Sequence, residues 1–214
     1  TQGIGDWCST KKTANVDDTE FRSLIRNGVF MVQSDINLPF RSPSEGKNIV
    51  YTSLWDNYPD SISVPLKGKA SHAYLLLAGS TNPMQYAIEN AVVRVEYADG
   101  TRNELMLTPP VNWCPIEQDF LENATAFPQP QLRPYRIGLA SGKVSRHLFR
   151  DLHLEANRNM ADVPGFKKAV AEIDGGAGIL LDVPLDGKKK LKSLTLRVLS
   201  TEVVVGLMGI TLQK

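Results

Sequence analysis

The chain has 214 residues, 42% of them hydrophobic, which is enough for one large domain with a substantial core. Its 24 Lys and Arg balance 23 Asp and Glu, so no net field draws it to nucleic acid or to an anionic membrane, and we expect neither as a partner. The chain has no run of about 18 apolar residues, and we therefore expect no membrane span.

The N-terminus does not begin with Met and lacks the charged and apolar regions of a signal peptide. We expect Thr1 to be a processed end, an expression boundary or a cut from a longer chain. Two cysteines, Cys8 and Cys114, are too few for a Cys-rich zinc site or a disulfide framework. We expect two separate thiols, and one bridge between them is the alternative.

The first predicted element is a helix of about three turns near the N-terminus. Asp17 is a suitable cap, and Glu20 stands three residues later, as in a capping box. Gly28 marks the end, where the left-handed conformation of a C-cap favours glycine. The apolar stripe of this helix consists of Phe21, Leu24 and Ile25.

After the helix the hydrophobic period changes from 3.6 to 2, which predicts strands. We place short strands at 29–32 and 48–52, separated by a loop that contains Pro39 and Pro43.

Two neighbouring strands follow this loop. Residues 61–66 alternate, and Pro65 should lie at an edge or a strand end because it cannot donate a ladder hydrogen bond. Residues 73–78 are too short for a free-standing helix and too apolar for an exposed strand, which predicts a central strand covered on both faces.

The clearest hairpin spans 91–107, and Asp99-Gly100 predicts a two-residue type I′ turn. Three alternating strands close the chain, with turns at Asp186-Gly187 and at 200–202. Their inward residues are Ile179, Leu181, Val183, Leu185, Leu194, Leu196, Val198, Val203, Val205 and Leu207. Non-local pairing between the two ends of the chain predicts an all-β fold, a jelly-roll sandwich with one short N-terminal helix.

The Pro-rich region 109–178 is predicted to be largely irregular surface backbone, with strands expected at 135–139 and within 144–154. Residues 175–178 lack the Lys-Ser/Thr of a phosphate loop and are interpreted as a structural turn. We see no domain boundary and predict a single domain over 1–214.

The familiar catalytic motifs are missing from the sequence, including a His-Glu-x-x-His helix and a nucleophile elbow. His72 is interpreted as a packing residue at the start of a core strand. His147 and His153 are six residues apart and could join a site only through tertiary contacts. We therefore assign no catalytic residue and no metal ligand.

Two segments combine aromatic rings with polar side chains, as saccharide binding requires. They are Trp55, Asp56, Asn57 and Tyr58, and Asn112, Trp113, Glu117 and Asp119. Three alternatives stay open for these segments. The rings could anchor loops. Asp56, Asn57 and Asp60 offer oxygen ligands for a structural Ca²⁺. Glu117 and Asp119 are the nearest approach to the acid pair of a glycosidase.

Four stretches resemble an uncharacterised gut-bacterial family with a galactose-binding-like β-sandwich. They are SLWDNYPDSISVPLKGKASHAYLLLAGSTNPMQ, VRVEYADGT, NWCPIEQDF and LDVPLDGKKKLKSLTLRVLSTEVVVGLMGITL. Members of that family occur within larger proteins encoded with polysaccharide-degrading enzymes. The resemblance implies a secreted or periplasmic accessory domain, and it places any glycoside hydrolase activity in a helical domain outside this sequence.

Three functions follow as alternatives. The first is a non-catalytic accessory module of a carbohydrate-processing protein, with a glycan ligand and a catalytic domain in the same protein as its partners. The second is a structural or protein-interaction domain without sugar affinity. The third is a self-contained glycoside hydrolase.

Overall fold

The computed structural model describes residues 16–55, 57–81, 87–116, 132–148 and 173–214. These ranges contain one short helix, α1 (Thr19–Ser23), and twelve strands whose pairings are all antiparallel. The strands are β1 (Val29–Val32), β2 (Leu38–Arg41), β3 (Val50–Ser53), β4 (Ser61–Pro65), β5 (His72–Thr81), β6 (Ala91–Tyr97), β7 (Arg102–Leu107), β8 (Tyr135–Gly138), β9 (Val144–Ser145), β10 (Ala177–Pro184), β11 (Leu191–Val198) and β12 (Val203–Gln213).

The strand order is that of a jelly roll. One sheet has the order β3-β12-β5-β10-β8-β9 and the other β4-β11-β6-β7. The sandwich itself is built from eight of these strands, numbered here in chain order: β3, β4, β5, β6, β7, β10, β11 and β12. In this numbering, one sheet contains strands one, eight, three and six, in that order, and the facing sheet contains strands two, seven, four and five. This is the double Greek-key arrangement, which confirms the predicted all-β sandwich.

Strand β5 lies at the centre of the molecule and is covered on both faces. Its odd-numbered residues, such as Leu75 and Leu77, pack into the core between the two sheets. Its even-numbered residues, such as Leu76 and Ala78, pack into a second core on the outer side of the six-stranded sheet. The prediction of a doubly covered strand at 73–78 is confirmed.

The second core is closed by α1 and by the β1–β2 hairpin. Phe21 of the helix and Phe30 of the hairpin are buried, with ring centroids 4.8 Å apart. Phe40 of β2 is buried in the same cluster. The molecule therefore has a third layer that covers part of the outer face of the six-stranded sheet.

The outer face of the four-stranded sheet carries paired charges and hydroxyls. Arg94 Nε lies 2.7 Å from Glu104 Oε1, and Lys192 Nζ lies 3.1 Å from Glu96 Oε2. An antiparallel sheet commonly packs one face against the core and exposes the other, polar face to solvent.

The N-terminal helix is much shorter than the predicted three turns. It begins after Asp18 instead of Asp17, and Leu24 of the predicted stripe is exposed while Phe21 is buried. Beyond its end, the backbones of Arg26 and Val29 exchange hydrogen bonds across Asn27 and Gly28, which both have positive φ, 53° and 74°. These two residues open the turn into β1, so the helix cannot continue to residue 28.

Two predictions about turns are wrong. The segment around Pro39 was predicted as a loop, but it forms β2, where Pro39 lies opposite Met31 in a two-stranded sheet that tolerates a missing donor. The 91–107 hairpin has a three-residue loop, because the Tyr97 N–H donates to Thr101 O at 2.9 Å. Gly100 has φ 85° but Asp99 has no positive φ, which excludes a type I′ turn.

Other predicted elements are confirmed. The strands at 29–32 and 135–139 form as β1 and β8, and 48–52 forms β3 shifted by one to two residues. Pro65 lies on β4, an edge strand of its sheet. Of the turn predicted at 175–178, Gly175 and Gly176 have positive φ and lead into the strand, while residues 177 and 178 already belong to β10. Within 144–154 the structure has β9, and residues 149–154 lie outside the described ranges.

Candidate functional site

The loop that contains Trp55 crosses from one sheet to the other at one end of the sandwich. It joins β3 of the six-stranded sheet to β4 of the four-stranded sheet. The Ser53 N–H donates to Pro59 O at 3.0 Å, and the Val198 N–H donates to Asp60 O at 3.0 Å. Both ends of the loop are therefore fixed to strands. Asp56 lies outside the described residues.

The buried Ser53 hydroxyl holds the start of this loop. It donates to Val203 O at 2.8 Å and accepts the Trp55 N–H at 3.3 Å. The Tyr58 N–H in turn donates to Trp55 O at 3.0 Å. On this framework Trp55 and Tyr58 are partly exposed, and Asn57 is exposed.

Tyr58 contacts a second tyrosine that sequence reasoning did not select. The rings of Tyr58 and Tyr51 meet edge to face, with centroids 6.3 Å apart and an interplanar angle of 77°. Gly206 on the neighbouring strand makes room for Tyr51, since a Cβ there would lie 2.7 Å from the ring. Burial, with smaller contributions from Tyr58 and Asp18, raises the pKa of Tyr51 to about 12, so its phenol stays protonated at neutral pH.

The Asp18 carboxylate extends the same surface toward α1. It accepts hydrogen bonds from Arg22 Nε at 2.8 Å and from Asn48 Nδ2 at 3.0 Å. Burial alone would raise the pKa of Asp18, but the hydrogen bonds from Arg22 and Asn48 lower it below its usual value. The carboxylate is thus held in its charged form.

These contacts join the predicted loop to residues from two other segments. We call the combined surface the tyrosine rim. It consists of Asp18, Asn48, Tyr51, Trp55, Asn57 and Tyr58. Asp18, Asn48 and Tyr51 lack a recognisable motif, so only the tertiary fold brings them beside the Trp55 loop.

The second predicted segment is used inside the protein. Asn112 Oδ1 accepts the Thr108 N–H at 2.9 Å and its Nδ2 donates to Met106 O at 2.8 Å, which closes the turn after β7. The Trp113 side chain is 1% exposed and packs in the core between the sheets. In this position Trp113 acts as an anchor and cannot present its ring to a ligand. Glu117 and Asp119 lie outside the described residues.

A buried arginine fixes the chain just after Trp113. The Arg136 side chain is fully buried, and its Nη2 donates to Ala177 O at 2.7 Å and to Pro115 O at 3.0 Å. A cation that bridges carbonyl oxygens of two segments holds the Trp113 segment against β10. We interpret Arg136 as structural.

The histidines that the structure describes lie near strand ends of the six-stranded sheet. His72 was predicted to be a packing residue, but it is partly exposed, with Nδ1 2.8 Å from Asp182 Oδ1. The backbone N–H of His147 donates to Ser145 Oγ at 2.9 Å, and His153 lies outside the described residues.

Of the two cysteines, Cys114 is buried and Cys8 lies outside the described residues, so their pairing stays a prediction.

The calcium alternative also stays a prediction. Asp60 Oδ1 accepts the Ser61 hydroxyl at 3.1 Å, Asn57 is exposed, and Asp56 is not among the described residues. Within the described ranges, His, Cys, Asp and Glu form no group of three or more that could hold a metal ion.

The strand order defines the fold as a jelly-roll sandwich. The contacts of Tyr51, Tyr58 and Asp18 give it an aromatic and polar rim. Comparisons with protein-family models, with curated proteins and with solved structures find no match to the chain. Among the described residues, no helix has the length and apolar character needed to cross a membrane.

Proposed function

We propose that this chain is a non-catalytic accessory module of a carbohydrate-processing protein and that it binds glycan through the tyrosine rim. The observation that carries the proposal is the edge-to-face pair of Tyr51 and Tyr58 beside the partly exposed Trp55 and the ordered carboxylate of Asp18. The association with carbohydrate processing comes from the family resemblance in the sequence.

The chemistry of the rim matches that of a sugar ring. A pyranose has apolar C–H faces, which pack against aromatic rings, and hydroxyls, which both donate and accept. Trp55 and Tyr58 supply partly exposed rings, and exposed Asn57 supplies an amide that donates and accepts. The protonated Tyr51 phenol adds a group of the same kind.

The rim is held in place by backbone contacts before any ligand arrives. The loop is fixed at Ser53, Pro59 and Asp60, as described above. Ordering a loop on binding reduces affinity, so a loop already fixed by hydrogen bonds favours binding of a weak ligand such as a sugar.

The alternative of a structural domain without sugar affinity is favoured by a different observation. Trp113 and Asn112, which were candidates for ligand contact, are both used internally. If Trp55 and Tyr58 serve only to close the end of the sandwich, their removal should lower stability and leave no binding to be lost.

The hydrolase alternative receives little support from the rim. The Asp18 pKa is lowered and its carboxylate is bound to Arg22 and Asn48, whereas a general acid needs a raised pKa. Asp56, Glu117 and Asp119 lie outside the described residues, so their separation stays a prediction.

A glycan array tests the proposal directly. The intact chain should bind at least one class of plant or host glycan, and Tyr58→Ala should weaken that signal while Tyr58→Phe retains most of it. Met31→Ala, which removes an exposed apolar side chain on the β1–β2 hairpin, serves as the control. Absence of binding to every glycan, or equal binding by Tyr58→Ala, contradicts the proposal.

A further inference from the structure

A second cluster of aromatic and charged side chains lies on the outer side of the six-stranded sheet. It includes His72 and Tyr74 of β5, Asp182 of β10 and Tyr135 of β8, with Arg146 directly after β9. The register places Asp182 opposite Tyr74 and Tyr135 opposite Leu180. We call this cluster the histidine face.

The histidine face is separate from the tyrosine rim. Gly206 of β12 pairs with Tyr51 of the rim on one side and with Ala78 of β5 on the other, so Tyr51 and Ala78 lie at the same level of the sheet. His72 is six residues further along the same strand, a distance of roughly 20 Å at the usual rise per residue. The two surfaces therefore cannot contact the same sugar ring.

The imidazole of His72 is oriented by two neighbours. Its Nδ1 lies 2.8 Å from Asp182 Oδ1, and its ring stacks on Tyr74 with centroids 6.0 Å apart and planes 18° from parallel. Because Nδ1 is bound to the carboxylate, Nε2 is the nitrogen left for a ligand. The pair is partly exposed, with side-chain exposures of 38% and 46%.

The guanidinium of Arg146 is also held in a fixed position. It lies 3.9 Å from the centroid of the Tyr135 ring, and its Nη1 donates to Arg133 O. Within the described part of the chain no carboxylate lies at ion-pair distance from Arg146. Its remaining N–H groups are therefore available as donors.

Three charged groups influence the ionisation of Tyr74. Burial raises the pKa of Tyr74, the charges of Asp182 and Asp35 add to the increase, and the charge of Arg146 opposes it. The carboxylates that act on Tyr74, Asp182 of the face and Asp35 of the β1–β2 loop, outnumber the one guanidinium, so negative charge prevails around Tyr74 when His72 is neutral. An anionic ligand is disfavoured there, whereas each hydroxyl of a neutral sugar can donate to a carboxylate and accept from the guanidinium.

We propose that the histidine face is a second binding site of this domain and that it takes a neutral saccharide ring. Asp182 and His72 would bind hydroxyls at one side, and Arg146 would donate to hydroxyls at the other. The ligand class rests on the proposed function, but the residues and the position are independent of the tyrosine rim.

The experiment is an NMR titration of the full chain with cellohexaose, xylohexaose and mannohexaose, with an oligogalacturonate as the acidic comparison. At least one neutral oligosaccharide should shift the His72 ring signals and the backbone amides of Tyr135 and Arg146. Asp182→Asn should weaken binding at this face about fivefold or more. Glu104→Gln, which removes a carboxylate from the opposite sheet, should not.

The outcomes separate the two proposals. Shifts confined to the tyrosine rim overturn the second site and leave the proposed function intact. Shifts confined to the histidine face support the second site and overturn the role of the rim. Binding of the acidic oligomer alone, or an affinity unchanged in Asp182→Asn, overturns the neutral-sugar assignment, and the absence of any shift overturns both proposals.

Discussion

At the scale of single residues, Trp55 and Trp113 show why a motif does not determine a role. Both stand next to Asn, Asp or Cys in polar segments, and both were candidate ligand platforms. Trp55 lies partly exposed on a loop, and Trp113 is 1% exposed in the main core. Exposure depends on which strands pack over a segment, and that information is not local.

The two tryptophans should therefore respond differently to truncation. Trp113→Ala removes a fully buried ring and is expected to lower the free energy of unfolding by about 3–5 kcal/mol. In a chain of this size that corresponds to a fall in Tm of roughly 10 °C. Trp55→Ala should shift Tm by much less. Thermal unfolding by circular dichroism measures both, and equal losses in the two variants would refute the assignment of Trp113 as the anchor.

At the scale of elements, predictions succeeded where the hydrophobic pattern of a segment depends directly on which of its faces are buried. The apolar run at 73–78 predicted burial on both faces because a strand alternates sides and both sides were apolar. The helix length and β2 were missed for a physical reason. Arg26 and Val29 pair across a tight turn, which replaces the last predicted turn of the helix. Pro39 is tolerated because its sheet has only two strands.

The pairing of β5 with β12 leaves no space for a side chain at Gly79. A Cβ there would lie 2.0 Å from the carbonyl oxygen of Val204, which is backbone and cannot move aside. Gly79→Ala should lower the free energy of unfolding by about 1–3 kcal/mol in a urea titration. Gly187→Ala is the matched control, because its nearest atoms are 3.7 Å away and its φ is not positive. A Gly79→Ala protein as stable as Gly187→Ala would show that the strands are further apart.

The β6–β7 hairpin should be sensitive to acid at its tip. Hydrogen bonds from the Thr101 side chain and backbone, followed by Lys189, lower the pKa of Asp99 from 3.8 to about 2. A lowered folded-state pKa means that the contribution to stability is present above pH 4 and is lost as the pH falls toward 2. The Asp99 carboxyl carbon should titrate by NMR near pH 2. A midpoint near 4 would contradict these hydrogen bonds, and Thr101→Val should move the midpoint upward.

At the scale of the whole molecule, the three layers restrict where a ligand can bind. Paired charges cover the outer face of the four-stranded sheet, and α1 with the β1–β2 hairpin covers much of the other. Among the described residues, the end of the sandwich near Trp55 carries the partly exposed rings of Trp55 and Tyr58. The sequence predicted that loop, but the partners Asp18, Asn48 and Tyr51 could not be foreseen, because they come from the N-cap of α1, the β2–β3 loop and β3.

The central claim is that the tyrosine rim binds glycan, and a calorimetric titration of the oligosaccharide selected on the array tests it most directly. Loss of the aromatic ring in Trp55→Ala should weaken binding by on the order of 1 kcal/mol, about fivefold in Kd, while Tm changes little. Trp55→Phe should recover most of the affinity because it restores a ring. An unchanged Kd in a folded Trp55→Ala protein would contradict the claim.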